Sequence, residues 1–401
     1  MKILVAHPGT QYSYQLVRQL YKKNVLYRFY TGIAFGKDSW MYKLCYNLPN
    51  SIFKKISNRF IDDLPDHMIK RNILNELRAL IWLRIGVNEE KVLFHRNRRF
   101  QTNISSSAIL KATATIGFDT SSWLLAERCR NLSRPFFLDV SIGHPLSKEK
   151  VYSEIGELYP DWTFAIKNKK TAQVKLEQRE MELASHIVVA STFTLNTYTS
   201  HGIDPGKISV NPYGVDSVNF KPVNKIKAKT DIIDFVFVGL VDARKGIPFL
   251  LNAWKLIDKK NIRLTLIGPI SEAIKDLITT HFPSVIVKGK LSFEQLKYAL
   301  PHYDIMIFPS FFEGYGLVIP EALACGLPVI TTSATCGPDL IENGKQGFII
   351  EPGNEIRLKS TIESFLSDPE IFIEMGKSAR KKAESISWEI YGTNWQSVLN
   401  T

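Results

Sequence analysis

Pro309-Ser310-Phe311-Phe312-Glu313-Gly314-Tyr315-Gly316-Leu317-Val318-Ile319-Pro320-Glu321-Ala322-Leu323-Ala324-Cys325-Gly326-Leu327-Pro328-Val329-Ile330 decides how this chain is read. The stretch leaves an apolar run, Ile305 to Phe308, that has the pattern of a buried parallel strand. Two glycines then free the backbone, Pro320 suits the first turn of a short helix, and Gly326 closes that helix. A strand, a glycine loop and a helix N-terminus make an anion site, because exposed N–H groups and the helix dipole favour phosphate. Glu313 and Glu321 would repel phosphate, so they should face hydroxyl groups on the same ligand. A diphosphate flanked by hydroxyl-rich rings is a nucleotide sugar. The plain alternative is an ordinary doubly wound unit with surface glutamates.

On both sides of this stretch, strand-like and helical runs alternate over most of the chain, which implies parallel sheets covered by helices. In the first half the strands are expected at Ile3–Ala6, Thr115–Phe118, Phe136–Val140 and Ile187–Ala190, with helices at Trp123–Arg130 and Lys167–Ala184. A second series runs through Phe235–Gly239, Leu264–Ile267, Val285–Val287, Ile305–Phe308, Val329–Thr331 and Phe348–Ile350. Ser292 and Gln295 have the spacing of a capping box. Residues 38–99 break the alternation and read as helices inserted into the first domain. They mix aromatic and basic residues (Trp40, Tyr42, Lys43, Tyr46, Phe53, Lys54, Lys55, Arg59, Phe60). Such a face can lie on a membrane, although aromatics of this kind more often pack inward. Lys221–Lys229 reads as a linker or exposed loop. The expected fold is α/β, with two Rossmann-like doubly wound domains facing a central cleft and ligand at the C-terminal ends of the strands.

At 401 residues the chain exceeds a single core, and its 45% hydrophobic and 22% charged content is ordinary for a globular protein. Four cysteines in no paired or zinc-like spacing suit reduced thiols in the cytoplasm. No apolar run has the length of a membrane span. The net charge of +12 is uneven: residues 1–211 hold 30 Lys+Arg against 18 Asp+Glu, and residues 212–401 hold 21 of each. The first half therefore carries the whole excess, which suits an anionic membrane surface or a phosphate-bearing acceptor. Nucleic acid is not expected, because no nucleic-acid-binding motif accompanies the charge. A solvated basic surface is the bland reading.

The order of residues from Glu313 to Glu321 resembles the Glu–seven residues–Glu signature of retaining glycosyltransferases of family 4, also called glycosyl transferases group 1. These have the GT-B fold. The resemblance implies that Glu313 contacts the donor sugar and Glu321 the ribose hydroxyls, with Gly314, Tyr315, Gly316, Leu317 and Val318 in the donor loop. Val238-Gly239-Leu240-Val241-Asp242-Ala243-Arg244-Lys245-Gly246 resembles the family's diphosphate-binding turn, which implies that Arg244 and Lys245 hold the diphosphate. The family often has arginine where this chain has Leu240. Asp339, in Ser333–Ile341, stands where the family has glutamate. Tyr213-Gly214-Val215-Asp216 resembles its domain-junction turn, and Ser387-Trp388 the segment that crosses back to the first domain.

The resemblance divides the chain into an acceptor-side domain (1–211), a donor-binding domain (212–385) and a returning helix (386–401). Gly9 and Thr10, in the loop after the first strand, would face donor and acceptor. His144 is the expected catalytic histidine near the transferred sugar, with Asp139 its competitor. Gly117–Ser121 could touch the acceptor, but helix capping by Thr120 or Ser121 is the simpler reading. No D-x-D motif is present, and Asp62-Asp63 falls in a poorly patterned helical region. Metal independence and no cofactor are therefore expected.

The implied function is transfer of a sugar from a nucleotide-diphosphate sugar to a saccharide or polyprenyl-linked saccharide in surface polysaccharide synthesis (O-antigen, capsule or exopolysaccharide). The implied place is the cytoplasm, including its face of the plasma membrane. The rivals are a phosphorylase or sugar-phosphate glycosyltransferase of the same fold, and a non-catalytic sugar- or nucleotide-binding module. A nicotinamide enzyme is disfavoured, since no G-x-G-x-x-G follows either first strand.

Overall fold

The computed structural model describes residues 1–10, 12–46, 57–165, 171–223, 232–258, 261–367 and 369–400. The first sheet is built from β1 (Ile3–His7), β2 (Leu26–Thr31), β5 (Ile69–Arg71), β6 (Ala114–Phe118), β7 (Phe136–Val140), β8 (His186–Val189) and β9 (Ile208–Val210). Its order is β5-β2-β1-β6-β7-β8-β9. The second contains β10 (Ile233–Val238), β11 (Ile262–Ile267), β12 (Val285–Gly289), β13 (Ile305–Phe308), β14 (Val329–Thr332) and β15 (Gly347–Ile350), in the order β12-β11-β10-β13-β14-β15. Every pairing in both sheets is parallel. Two Rossmann-like parallel sheets in one chain are the architecture that the GT-B expectation requires.

Helices cover both faces, which is why β1, β6, β7 and β13 are buried along their whole length. In the first half these are α1 (Ser13–Lys22), α2 (Trp40–Tyr46), α3 (Ile73–Arg84), α4 (Glu89–Thr102), α5 (Ser106–Lys111), α6 (Trp123–Asn131), α7 (Pro145–Leu158), α8 (Thr171–Leu183) and α9 (Thr192–Thr199). In the second they are α10 (Ile247–Lys255), α11 (Glu272–His281), α12 (Phe293–Ala299), α13 (Val318–Ala324), α14 (Gly337–Leu340), α15 (Glu355–Ser367), α16 (Pro369–Glu384) and α17 (Trp388–Leu399). The Ser292–Gln295 capping box forms at α12. Helix α17 packs back on α1 of the first domain, with Asn211 Nδ2 donating to the Tyr391 carbonyl at 3.2 Å.

Several expectations change. Strands β2, β5 and β9 carry polar residues and escape the apolar pattern. Residues 38–99 are not only helices: β4 (Phe60–Ile61) pairs with β3 (Phe35–Gly36), and β5 extends the main sheet. Asp62 and Asp63 follow β4 in a turn and pair with Lys37 at 3.7 Å and Lys22 at 3.6 Å. Phe60 packs edge-on to Tyr42 at 5.0 Å, whereas Trp40 is exposed. Phe53, Lys54 and Lys55 lie outside the described residues, as do Lys167 and residues 224–229 of the expected linker. Neither Thr120 nor Ser121 caps α6. Thr120 is left-handed (φ 67°), and the buried Glu180 carboxylate accepts from the N–H groups of Thr120 (2.8 Å) and Ser122 (2.5 Å).

Candidate active site

The strand order reverses at β1/β6 in the first sheet and at β10/β13 in the second. The loops leaving those four strands therefore splay apart into crevices, where ligands bind in open α/β sheets. After β10 the chain turns through Asp242, whose Oδ1 accepts from the Lys245 N–H at 2.8 Å. Gly246 ends the turn at φ 76°, where a Cβ would stand 2.0 Å from the Pro309 carbonyl oxygen. Only glycine allows the β10 turn to lie against the β13 loop this closely. The contact is locked by the Phe311 N–H, which donates to the Arg244 carbonyl at 2.9 Å.

That approach brings the sequence-distant charges together. The Lys245 ammonium is ion-paired with the Glu313 carboxylate, and Arg244 Nη1 lies 3.4 Å from the same oxygen while donating to the Phe312 carbonyl at 2.8 Å. Burial opposes ionisation of Glu313, but the two cations outweigh it and hold the carboxyl below its ordinary value. Burial lowers Lys245 in spite of Glu313. For Arg244, Glu313 and Asp242 outweigh burial and raise it. Glu321, one helix turn into α13, has no such cation. Burial, then the charge of Asp216, pushes it up to about 8.

A cavity of about 420 Å³ opens over these groups. Val238, Gly239, Lys245, Phe308, Glu313, Tyr315, Gly316, Leu317, Val318 and Glu321 form its second-domain wall, and Tyr12, Ser141 and Tyr213 close the other side. Leu317 supplies no side-chain cap to the N–H groups of α13, although the Ile319 N–H donates to the Gly316 carbonyl at 2.8 Å. Leu240, where the resembled family often has arginine, is half exposed and off the cavity lining.

The first domain grips the Glu313 loop. Ser191 Oγ (2.5 Å) and Thr194 Oγ1 (2.9 Å) both donate to the Gly314 carbonyl. A Cβ on Gly314 would stand 1.9 Å from the Ser141 carbonyl oxygen. Asp339 accepts from the Thr192 N–H at 3.0 Å and from its hydroxyl, so its carboxylate links the domains at the start of α9.

Other expected site residues sit elsewhere. Asp139 is buried and accepts from Tyr12 Oη (3.1 Å) and Tyr391 Oη (3.3 Å); burial raises it well above the carboxylate range. Tyr12 therefore stands between Asp139 and the cavity. His144 begins α7 with its ring stacked on His201, centroids 4.1 Å apart, and edge-on to Tyr198. Burial, then His201, lowers it to about 4, and its Nδ1 has no hydrogen-bond partner among the described residues. The ring does not line the cavity; its neighbour Gly143 packs against Phe312 instead. Gly9 donates its N–H to His7 Nδ1 at 3.0 Å and Thr10 accepts from Ser13 Oγ at 2.6 Å, which shapes the loop that delivers Tyr12. Tyr12, Ser141 and Tyr213 line the cavity without standing out in the sequence. Their only sequence signal is a position just after a first-domain strand or at the domain junction. Among the described residues, no three His, Cys, Asp or Glu side chains gather as a metal site.

Residues 220–382 match the family model described as glycosyl transferases group 1. That stretch of the second domain is therefore similar to the group 1 glycosyltransferases. The match contains the whole Glu313–Glu321 segment and the Arg244–Lys245 turn. A D-inositol 3-phosphate glycosyltransferase of Pseudarthrobacter chlorophenolicus is 27% identical over 243 residues, 53% of this chain and 56% of that protein. The capsular polysaccharide biosynthesis glycosyltransferase CapM of Staphylococcus aureus is 29% identical over 249 residues, 56% of this chain and 64% of CapM. The alignments thus span little more than half of these relatives. HepE of Anabaena, solved in complex with UDP-glucose, superposes on the whole chain and 99% of its own with a TM-score of 0.65 at 14% identity. That likeness extends the shared fold across both domains.

Proposed function

We propose that this chain is a retaining glycosyltransferase that moves a sugar from a nucleotide-diphosphate sugar to a saccharide or lipid-linked saccharide during surface polysaccharide synthesis. The observation that carries the proposal is the single cavity that holds Lys245, Glu313 and Glu321 together, with Arg244 behind Glu313. The capsule-related CapM and the UDP-glucose complex of HepE support the substrate class.

The donor diphosphate lies over the β10 turn, where it competes with Glu313 for the charges of Lys245 and Arg244. Those cations neutralise the nucleoside diphosphate as it departs and stabilise the developing charge without a metal ion. Glu313, partly released from its ion pairs, accepts hydrogen bonds from the sugar hydroxyls. Glu321 accepts from the ribose hydroxyls. No first-domain carboxylate lines the cavity among the described residues, and Asp139 is turned away by its two tyrosines. A front-face displacement suits this arrangement: the acceptor oxygen attacks the anomeric carbon on the side the diphosphate leaves. The departing phosphate oxygen takes the acceptor proton. In this reading His144 and Asp139 position the first-domain wall, and Gly9 and Thr10 shape the acceptor side.

Incubating the protein with a panel of nucleotide sugars and measuring nucleoside-diphosphate release tests the proposal. One donor should be consumed by the wild type, with retained activity in chelator, and Glu313→Ala should abolish release. Loss of activity in chelator would remove the metal-independent step. Dependence on inorganic phosphate, yielding a sugar phosphate, would favour a phosphorylase instead.

A further inference from the structure

Helix α3 is packed inside out. Its only buried residues are Asn75 and Ala79, while Leu74 (82% exposed), Leu77 (46%), Ile81 (59%) and the following Ile85 (70%) face solvent. The spacing of three, four and four residues lines these four side chains along one face of the helix. Arg78 and Arg84 are exposed on either flank of the stripe. On the neighbouring α4, Lys91, His95 and Arg98 are exposed at intervals of four and three residues, again one face. Residues 70–100 hold eight Lys+Arg against three Asp+Glu. Of those three acids, Glu76 is turned inward beside Arg96 at 3.7 Å, and Glu89 and Glu90 sit together at the start of α4.

We propose that this outward face of the α3–α4 hairpin docks the protein on an anionic lipid bilayer, with the α3 stripe in the headgroup–acyl boundary. Scattered surface leucines need no explanation, but a continuous stripe flanked by arginines is the pattern of a helix that lies in a membrane interface. The charge chooses the occupant. A second copy of this chain would bring the same basic surface against itself, whereas anionic headgroups complement both the flanking arginines and the α4 stripe.

The hairpin is anchored rather than loose. Asn75 Nδ2 donates to the Arg96 carbonyl at 2.9 Å and ties the helices together. At the root of α3, the Asn72 N–H donates to the carbonyls of Thr31 (2.9 Å) and Gly32 (3.1 Å), and the Gly32 N–H donates to Pro8 (3.2 Å). Pro8 precedes Gly9 and Thr10. The docked face is therefore fixed to the acceptor side of the cleft, and a lipid-linked acceptor held in the bilayer would meet it there. That last link rests on the glycosyltransferase reading; the docking itself does not.

Co-sedimentation of the full chain with phosphatidylglycerol-containing vesicles, compared with phosphatidylcholine vesicles alone, tests it. Wild type should pellet with the anionic vesicles, and raised salt should weaken it. The Leu77→Glu/Ile81→Glu double variant should lose binding on the order of tenfold or more. Both substitutions lie at exposed positions, so the double variant should keep its thermal melting temperature and its shift with a nucleoside diphosphate. Arg78→Ala/Arg84→Ala should bind more weakly with a shallower salt dependence. Wild type that stays in solution, or a double variant that pellets equally, overturns the proposal. So does concentration-dependent dimerisation that the double variant abolishes, which would make the stripe a contact between copies. If vesicles bind but no nucleotide sugar is consumed, the glycosyltransferase reading fails and the docking stands.

Discussion

The Lys245 ammonium is ion-paired with the Glu313 carboxylate across 68 positions of sequence, with the Phe308 ring 4.9 Å from the same nitrogen. The pair exists because Gly246 lets the β10 turn touch the β13 loop. It stores a cation where a diphosphate would lie and keeps Glu313 ionised in a buried place. Lys245→Ala should lower the rate of sugar transfer by on the order of 10²–10³, as expected for removing one fixed charge from a developing anion. Initial rates at saturating acceptor read this directly. A variant within a few-fold of wild type would separate Lys245 from the chemistry.

Glu321 gives a pH prediction. Burial and Asp216 raise its carboxyl from 4.5 to about 8, so the folded state keeps a proton that the unfolded chain releases near the lower value. Stability from this group is complete below about 4.5 and falls as pH climbs towards 8. Glu321→Gln should flatten that part of the stability–pH curve in urea titrations. An unchanged slope would mean that Glu321 is not protonated in the fold.

Asp139 is held by two tyrosine hydroxyls and favours its uncharged form. Asp139→Asn should cost about 1 kcal/mol of stability or less, since one neutral hydrogen-bonding group replaces another. Turnover should stay within a few-fold of wild type. A loss of several orders of magnitude would return Asp139 to the reacting atoms.

Asp339 tethers the domains through Thr192. Asp339→Ala should loosen the closed arrangement, with a larger radius of gyration in small-angle scattering and lower kcat, while affinity for nucleoside diphosphate changes little. Equal losses in binding and turnover would place Asp339 on the donor instead.

The sequence was most legible where chain-local signals are strong. The β13–loop–α13 unit stands out because a fully apolar strand meets two glycines, and β10 is nearly as apolar. Strands β2 and β5 were hidden because β5 is the edge strand and β2 lies next to it, where Arg28, Tyr30 and Lys70 keep some exposure beside the buried Phe29 and Ile69. Glu313, Glu321, Arg244 and Lys245 stand out through the resemblance of two short local segments to the family's motifs. Their mutual geometry does not, because the turn contact at Gly246 is tertiary. The opposite wall was less legible still: Tyr12 and Ser141 line the cavity from the first domain, whereas Asp139, within β7, and His144, in the loop after it, turn into the first domain. Nothing in the mixed apolar and charged pattern of Ile73–Arg84 showed which side of that helix faces out.

One cavity, built from the β10 turn and the β13 loop, should bind the diphosphate of a nucleotide sugar. The most direct test is isothermal titration of nucleoside diphosphates and nucleotide sugars into the wild type and Lys245→Ala. A nucleotide sugar should bind the wild type and bind Lys245→Ala at least tenfold more weakly, a difference of about 1.4 kcal/mol. Equal affinity for both proteins, or no nucleotide sugar bound by the wild type, would contradict this prediction.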